Sequence, residues 1–208
     1  MSREAATTDV MRLSRDTFAL PAATLARRLL GCRLVRTLPD GSRMAGLIVE
    51  TEAYVGVRDR ASHAFGGRRT PRNESMYGEP GTCYVYFTYG MHHCVNVVCS
   101  RRDDPQAVLL RALEPVEGVE VIRARRGGKP PGSCCNGPGK LCEAMAIDRS
   151  LDGIDLAAGE TLWIEDREGG EPPVSTAARV GIGDKGVWTR RRLRWFVRGH
   201  PHVSVARD

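Results

Sequence analysis

The 208-residue sequence predicts one compact α+β domain, and three observations carry that expectation. At 41% hydrophobic and 27% charged, its composition is that of an ordinary globular chain. Apolar runs of strand length outnumber segments with helical periodicity. The two kinds do not alternate strictly, which argues against a parallel sheet built from βαβ units. The architecture expected is a mixed, largely antiparallel curved sheet with flanking helices and a protruding β-hairpin. No apolar run approaches the roughly 20 residues that a membrane-spanning helix needs.

Residues 1–16 are polar and aperiodic, predicting a flexible tail ahead of a single domain over 17–208. In LPAATLARRLLG, Ala22, Leu25, Ala26 and Leu29 share one helical face; Pro21 suits the first helical position and Gly31 the end. CRLVRTL reads as a strand, Asp40-Gly41 as a hairpin turn, and RMAGLIVETEAY as the returning strand. Residues 56–81, broken by repeated Gly and Pro, predict a long irregular connection, and such loops are usually functional or disordered. TCYVYFTYGMHHCVNVVCS gives two strands joined tightly around Tyr89-Gly90, and QAVLLRALEP a strand buried on both faces at its centre. VEGVEVIRARR and PGKLCEAMAI read as helices, the second opening at Pro138, with GGKPPGSCCNG as a flexible linker between them. TLWIE, ARVGIG and LRWFVRG supply short strands.

The formal net charge is +6, and the segment from Lys185 to Asp208 holds seven basic residues and one acid, so the whole excess can be placed there. An excess of Arg suits an anionic partner: nucleic acid, a nucleotide or a membrane surface. The membrane is the weakest of these, because TRRRLRWFVRG alternates like a strand. The N-terminus lacks the apolar core of a signal peptide, which places the chain in a reducing cytoplasm. Seven cysteines, an odd number, fit free thiols there. His92, His93 and Cys94 are adjacent, but neighbouring strand residues face opposite ways and no Cys-x-x-Cys pair occurs, so no metal is expected.

All five tyrosines, Tyr54, Tyr77, Tyr84, Tyr86 and Tyr89, fall within 36 residues. Tyr84 and Tyr86 share a strand face, where ordinary core packing is the simpler reading. A ring at a hairpin tip, as at Tyr89, is either exposed or set against a partner. Glu50 and Glu52 share a face at the end of an apolar strand, close enough to influence each other's protonation. Glu50 then needs a counterion, and Arg111, inside the apolar strand VLLRALEP, is the natural one. Asn96, flanked by valines, needs hydrogen bonds from protein or ligand.

The ordered motifs ETEAY, ASHAFGG, TPRN, YVYFTYGMHHCVNVV, LLRALEP, GPGKLC and ARVGIG resemble those of the alkyladenine (3-methylpurine) DNA glycosylases, from about Leu25 to Val205. The resemblance implies a monomeric, monofunctional base-excision enzyme without metal or cofactor. Such an enzyme extrudes a damaged purine (3-methyladenine, hypoxanthine, ethenoadenine) from duplex DNA and hydrolyses its N-glycosidic bond. By position it makes Glu52 the base that activates water, with Arg111 and the Val180 carbonyl as the water's other contacts. Tyr54, His63 and Tyr86 match the residues around the flipped base, and Asn96 the side chain that crowds guanine's exocyclic amine. Tyr89 matches the wedge that fills the gap in the duplex. Met91 and His92 match opposite-strand contacts, and Thr70 and Arg72 resemble backbone contacts. The His92-His93 pair departs from the apolar or aromatic residues usual after the wedge.

The implied chemistry is coherent. A purine alkylated at N3 or N7 is already cationic and leaves without protonation, and tyrosine faces attract it by about 0.5–2 kcal/mol each. One carboxylate then suffices where glycosidases use two. A lyase needs an amine nucleophile, but Lys129, Lys140 and Lys185, the only lysines, are far in sequence from Glu52, Tyr86 and Arg111. The rival reading is a non-catalytic single-strand-binding module with the tyrosines as a stacking platform. Against it, Glu50 and Glu52 repel phosphate.

Overall fold

The computed structural model describes residues 11–205. In chain order the elements are α1 (Arg15–Phe18), α2 (Ala22–Arg28), β1 (Arg33–Thr37), β2 (Arg43–Tyr54), β3 (Cys83–Thr88), β4 (His92–Cys99), β5 (Gln106–Glu117), α3 (Val119–Arg125), α4 (Pro131–Cys134), α5 (Pro138–Ala144), β6 (Leu162–Glu165), β7 (Val174–Ala177), α6 (Val187–Arg190) and β8 (Arg194–Val197). The sheet runs β3-β4-β5-β2-β1-β6, with β8 joined to β2 and β7. Each of these ladders is antiparallel. The α+β expectation therefore holds, with a single curled antiparallel sheet and flanking helices.

β2 organises the molecule. One edge pairs with β5 along nearly its whole length, while the other carries β1 at Arg43–Leu47 and β8 at Glu50–Glu52. The sheet thus forks at β2, and Glu50 and Glu52 lie at the fork. Period-2 alternation turns Thr51 the other way, where its Oγ1 donates to the Ala26 carbonyl at 2.8 Å and pins the strand under α2. The face Ala22, Leu25, Ala26 and Leu29 is fully buried, as the helical spacing predicts, against a core that includes Ile48, Leu110 and Leu113. Full burial of each Leu or Ile side chain among them contributes about 1.5–3 kcal/mol.

The β2–β5 register is irregular between Ile48 and Thr51: Glu50 faces Ala112 and Thr51 faces Leu110, so Arg111 is the extra residue of a bulge. Bulges re-aim side chains. Here the effect is to bring one guanidinium to two carboxylates of the neighbouring strand.

Four expectations change. Residues 1–10 of the expected tail lie outside the described residues, but Arg12 already bridges to Glu165 and Leu13 is buried, so packing begins before residue 17. The linker GGKPPGSCCNG contains α4, and both Cys134 and Cys135 are fully buried beneath it, which anchors a segment that its Gly and Pro content marked as flexible. ARVGIG is not a strand: β7 ends at Ala177, and Gly181 and Gly183 take φ of +73° and +64°, outside any strand geometry. Pro21 caps α2 from outside rather than opening it.

Candidate active site

Glu52 is fully buried, and two hydrogen-bond donors and one ion pair hold its carboxylate. The Val180 amide donates to Oε1 at 2.7 Å, Arg111 Nη1 lies 3.2 Å from the same oxygen, and the Tyr54 hydroxyl donates to Oε2 at 3.0 Å. Burial raises the Glu52 carboxyl above the ordinary carboxylate value; Arg111, the Val180 amide and Tyr54 oppose that rise, while Glu50 adds to it. The result is a carboxylate that remains more basic than one in water. The contact observed at Val180 is thus its amide on the carboxylate, where the expected one is its carbonyl on water.

The three groups that hold Glu52 also line one cavity of about 450 Å³, together with His63, Tyr84, Tyr86, Tyr89, Asn96 and Lys185. That is room for a base-sized ligand. His63 packs edge-on to Tyr86, with ring centroids 4.6 Å apart. Its Nδ1 lies 2.8 Å from the Tyr84 hydroxyl. Burial depresses the His63 imidazole, and Arg72 and Arg68 push it further down, so the ring is neutral at physiological pH and presents an uncharged edge. Asn96 is buried and donates to the Tyr84 carbonyl at 3.0 Å, which fixes its amide in the cavity wall. Tyr84 is therefore more than core: it orients both His63 and Asn96.

The hairpin β3–β4 turns through Tyr89 and Gly90, both at positive φ, +52° and +68°. Such a turn matches the strands' own twist. The cost of a left-handed non-glycine residue falls on Tyr89, which is 78% exposed. Met91 and His92 are exposed beside it. Arg72 Nη2 donates to the Phe87 carbonyl at 2.9 Å and braces β3 from the long loop. Thr70 is tied by its own amide and hydroxyl to the Asn73 side chain, at 2.7 and 2.9 Å, which shapes the loop beneath Arg72.

The structure adds residues that the sequence did not point to. Arg179 and Asp59 form an ion pair with both side chains fully buried, and the guanidinium sits 4.7 Å from the Tyr54 ring centre. This pair ties the loop before His63 to the segment bearing Val180. Arg194, one of the seven basic residues assigned to an anion-facing surface, is buried and bonded to Glu50 at 2.9 Å. Lys185 lies far from Glu52 in sequence but lines the same cavity, so remoteness along the chain does not remove it from the site. Among the described residues, no group of three His, Cys, Asp or Glu side chains is placed to hold a metal ion.

Comparison with known proteins identifies the family. Residues 16–201 match the model of the family described as methylpurine-DNA glycosylase (MPG). A DNA-3-methyladenine glycosylase of Homo sapiens is 50% identical over 205 residues, covering 93% of this chain and 68% of the human one. The Mus musculus DNA-3-methyladenine glycosylase is 48% identical over 206 residues, and this chain spans 61% of its length. A relative in Desulfitobacterium hafniense (strain Y51) is 45% identical over 202 residues, covering 93% of this chain and 98% of its own. A match of this extent to the family model, with relatives of this identity, places the chain in the methylpurine-DNA glycosylase family, N-glycosylases among the hydrolases.

Proposed function

We propose that this chain excises alkylated or deaminated purines, of the 3-methyladenine, hypoxanthine and ethenoadenine class, from duplex DNA and so initiates base excision repair. The observation that carries this reading is the fully buried Glu52, held by two hydrogen-bond donors and one guanidinium that themselves line an aromatic cavity. In the proposed reaction the damaged nucleotide leaves the stack and its base enters among Tyr54, His63 and Tyr86. Glu52 takes a proton from water as the water attacks C1′, the N-glycosidic bond breaks, and the purine departs with the bonding electrons. Arg111 steadies the carboxylate throughout. A cationic alkylpurine needs no acid; a neutral lesion needs one, and no residue of the cavity is assigned to it.

Asn96, fixed by Tyr84, supports exclusion of bases that carry an extra exocyclic amine at its position. The enzyme acts as a monomer on cytoplasmic DNA, within the nucleoid if the source is prokaryotic. The test is release of free base from lesion-bearing duplex, followed by borohydride treatment. Release without a trapped protein–DNA adduct is expected. No release sinks the reading, whereas a borohydride-trapped adduct that Lys185→Arg abolishes replaces water with an amine nucleophile.

Tyr89 supplies a second check. Tyr89→Ala is expected to reduce excision from duplex by about 10- to 100-fold, the equivalent of losing a few kcal/mol of unstacking compensation. Salt-dependent binding to undamaged duplex is expected to stay within about twofold, because phosphate contacts dominate it. Equal losses on damaged and undamaged DNA would rule out a wedge role.

A further inference from the structure

Glu50 has no part in the proposed reaction, yet it is as deeply buried as Glu52. Its Oε1 accepts from Arg111 Nε at 3.0 Å and from Arg194 Nη1 at 2.9 Å, and its Oε2 accepts from the Ser204 amide at 2.7 Å. Arg194 is anchored in turn, donating Nε to the Ala178 carbonyl and Nη1 to the Val205 carbonyl, each at 3.0 Å. Arg111 Nη2 reaches Ser204 Oγ at 3.3 Å. Nε and Nη2 of Arg111 are thus directed to Glu50 and Ser204, and Nη1 is the nitrogen that reaches Glu52.

A guanidinium free to turn prefers a bidentate pair with a carboxylate, the stronger and more neutralising arrangement. We propose that Glu50 is a positioning residue that restricts Arg111 to a single contact with Glu52, so that the guanidinium steadies the base without neutralising it. The proposal rests on Glu52 being the base.

Among the described residues, the charged and titratable groups around the pair are few. β2 contributes Glu50 and Tyr54, β5 Arg111, β8 Arg194, β3 Tyr86 and β4 Cys94; the segment after β7 adds Arg179, paired with Asp59, and Lys185 at the cavity wall. Burial raises Tyr54, Tyr86 and Cys94, which keeps them neutral at working pH. Arg111, Arg194 and Glu50 then set the local field. Removing the Glu50 charge deletes its repulsion of Glu52 and also frees Arg111 to close on Glu52. Both changes weaken Glu52 as a base, so the acidic limb of the rate profile moves to lower pH and the plateau falls.

The experiment is single-turnover base release from an ethenoadenine duplex, followed across pH, for wild type, Glu50→Gln, Glu50→Asp and Glu52→Gln. Glu50→Gln is expected to lower the plateau about 10- to 100-fold and to move the acidic limb down by about 0.5–1 pH unit. Duplex affinity should not change, and Glu50→Asp should return the limb towards its original position. A limb that stays in place in Glu50→Gln, with only a lower melting temperature, overturns the proposal and leaves Glu50 a structural residue. Full turnover in Glu52→Gln overturns the base assignment beneath it, a different failure. Should Glu50→Gln not fold, Ser204→Ala removes only the oxygen behind Arg111 Nη2: a plateau lowered about fivefold at unchanged KM supports the proposal, and a wild-type plateau overturns it.

Discussion

Replacing Glu52 by Gln is expected to lower single-turnover base release by about 10³- to 10⁴-fold while lesion-duplex affinity stays within about threefold. The amide is isosteric, and its oxygen still accepts from the Val180 amide, with the Arg111 guanidinium beside it. It can no longer take a proton from water. Because Glu52 is fully buried, its loss has no route to the salt-dependent part of binding. Comparing single-turnover rates with equilibrium binding on the same lesion duplex checks both halves. A rate within tenfold of wild type removes Glu52 as base; a parallel collapse of binding points to a structural role.

The second large effect concerns stability. Asp59→Ala leaves the Arg179 guanidinium fully buried beside Tyr54 without its carboxylate, and breaking such a pair costs about 3–5 kcal/mol. The Asp59 carboxylate also accepts from the Val55 and Ala61 amides, at 3.2 and 3.0 Å, so the loop before His63 loses its internal bonds as well. For a chain of this size the melting temperature should fall by about 10–15 °C. The double replacement Asp59→Ala with Arg179→Met is expected to recover part of that loss, because it removes the stranded charge. Thermal unfolding of the two singles and the double decides the matter; a shift of under about 3 °C in Asp59→Ala means that water or another acceptor satisfies Arg179.

How far the site was legible depended on whether its residues interact locally. Glu50, Glu52 and Tyr54 sit within one strand, and an acid inside an apolar run declares a partner; Arg111, the lone cation of the next apolar strand, answered that need. Tyr89 was legible because a ring on a two-residue turn has no sheet to bury it. Arg194 was not, since in RRRLR alternation alone gives no sign that one arginine turns inward to a carboxylate 144 positions away. The Asp59–Arg179 pair, 120 positions apart, is silent for the same reason. GGKPPGSCCNG misled in the other direction: its Gly and Pro content signals freedom, but paired cysteines small enough to bury anchor it.

The bonds that complete the cluster also order events in time. Val180 reaches Glu52 across 128 positions, and Ser204 reaches Glu50 across 154. Contacts of such separation form late, because the entropy of closing the intervening chain must be met before they contribute. A molecule still arriving at its native state can thus complete the hairpin and the β2–β5 ladder while its carboxylates still lack their final donors. Copies that have not yet made these contacts lack donors that hold Glu50 and Glu52, and competence for cleavage becomes a late test of having folded correctly.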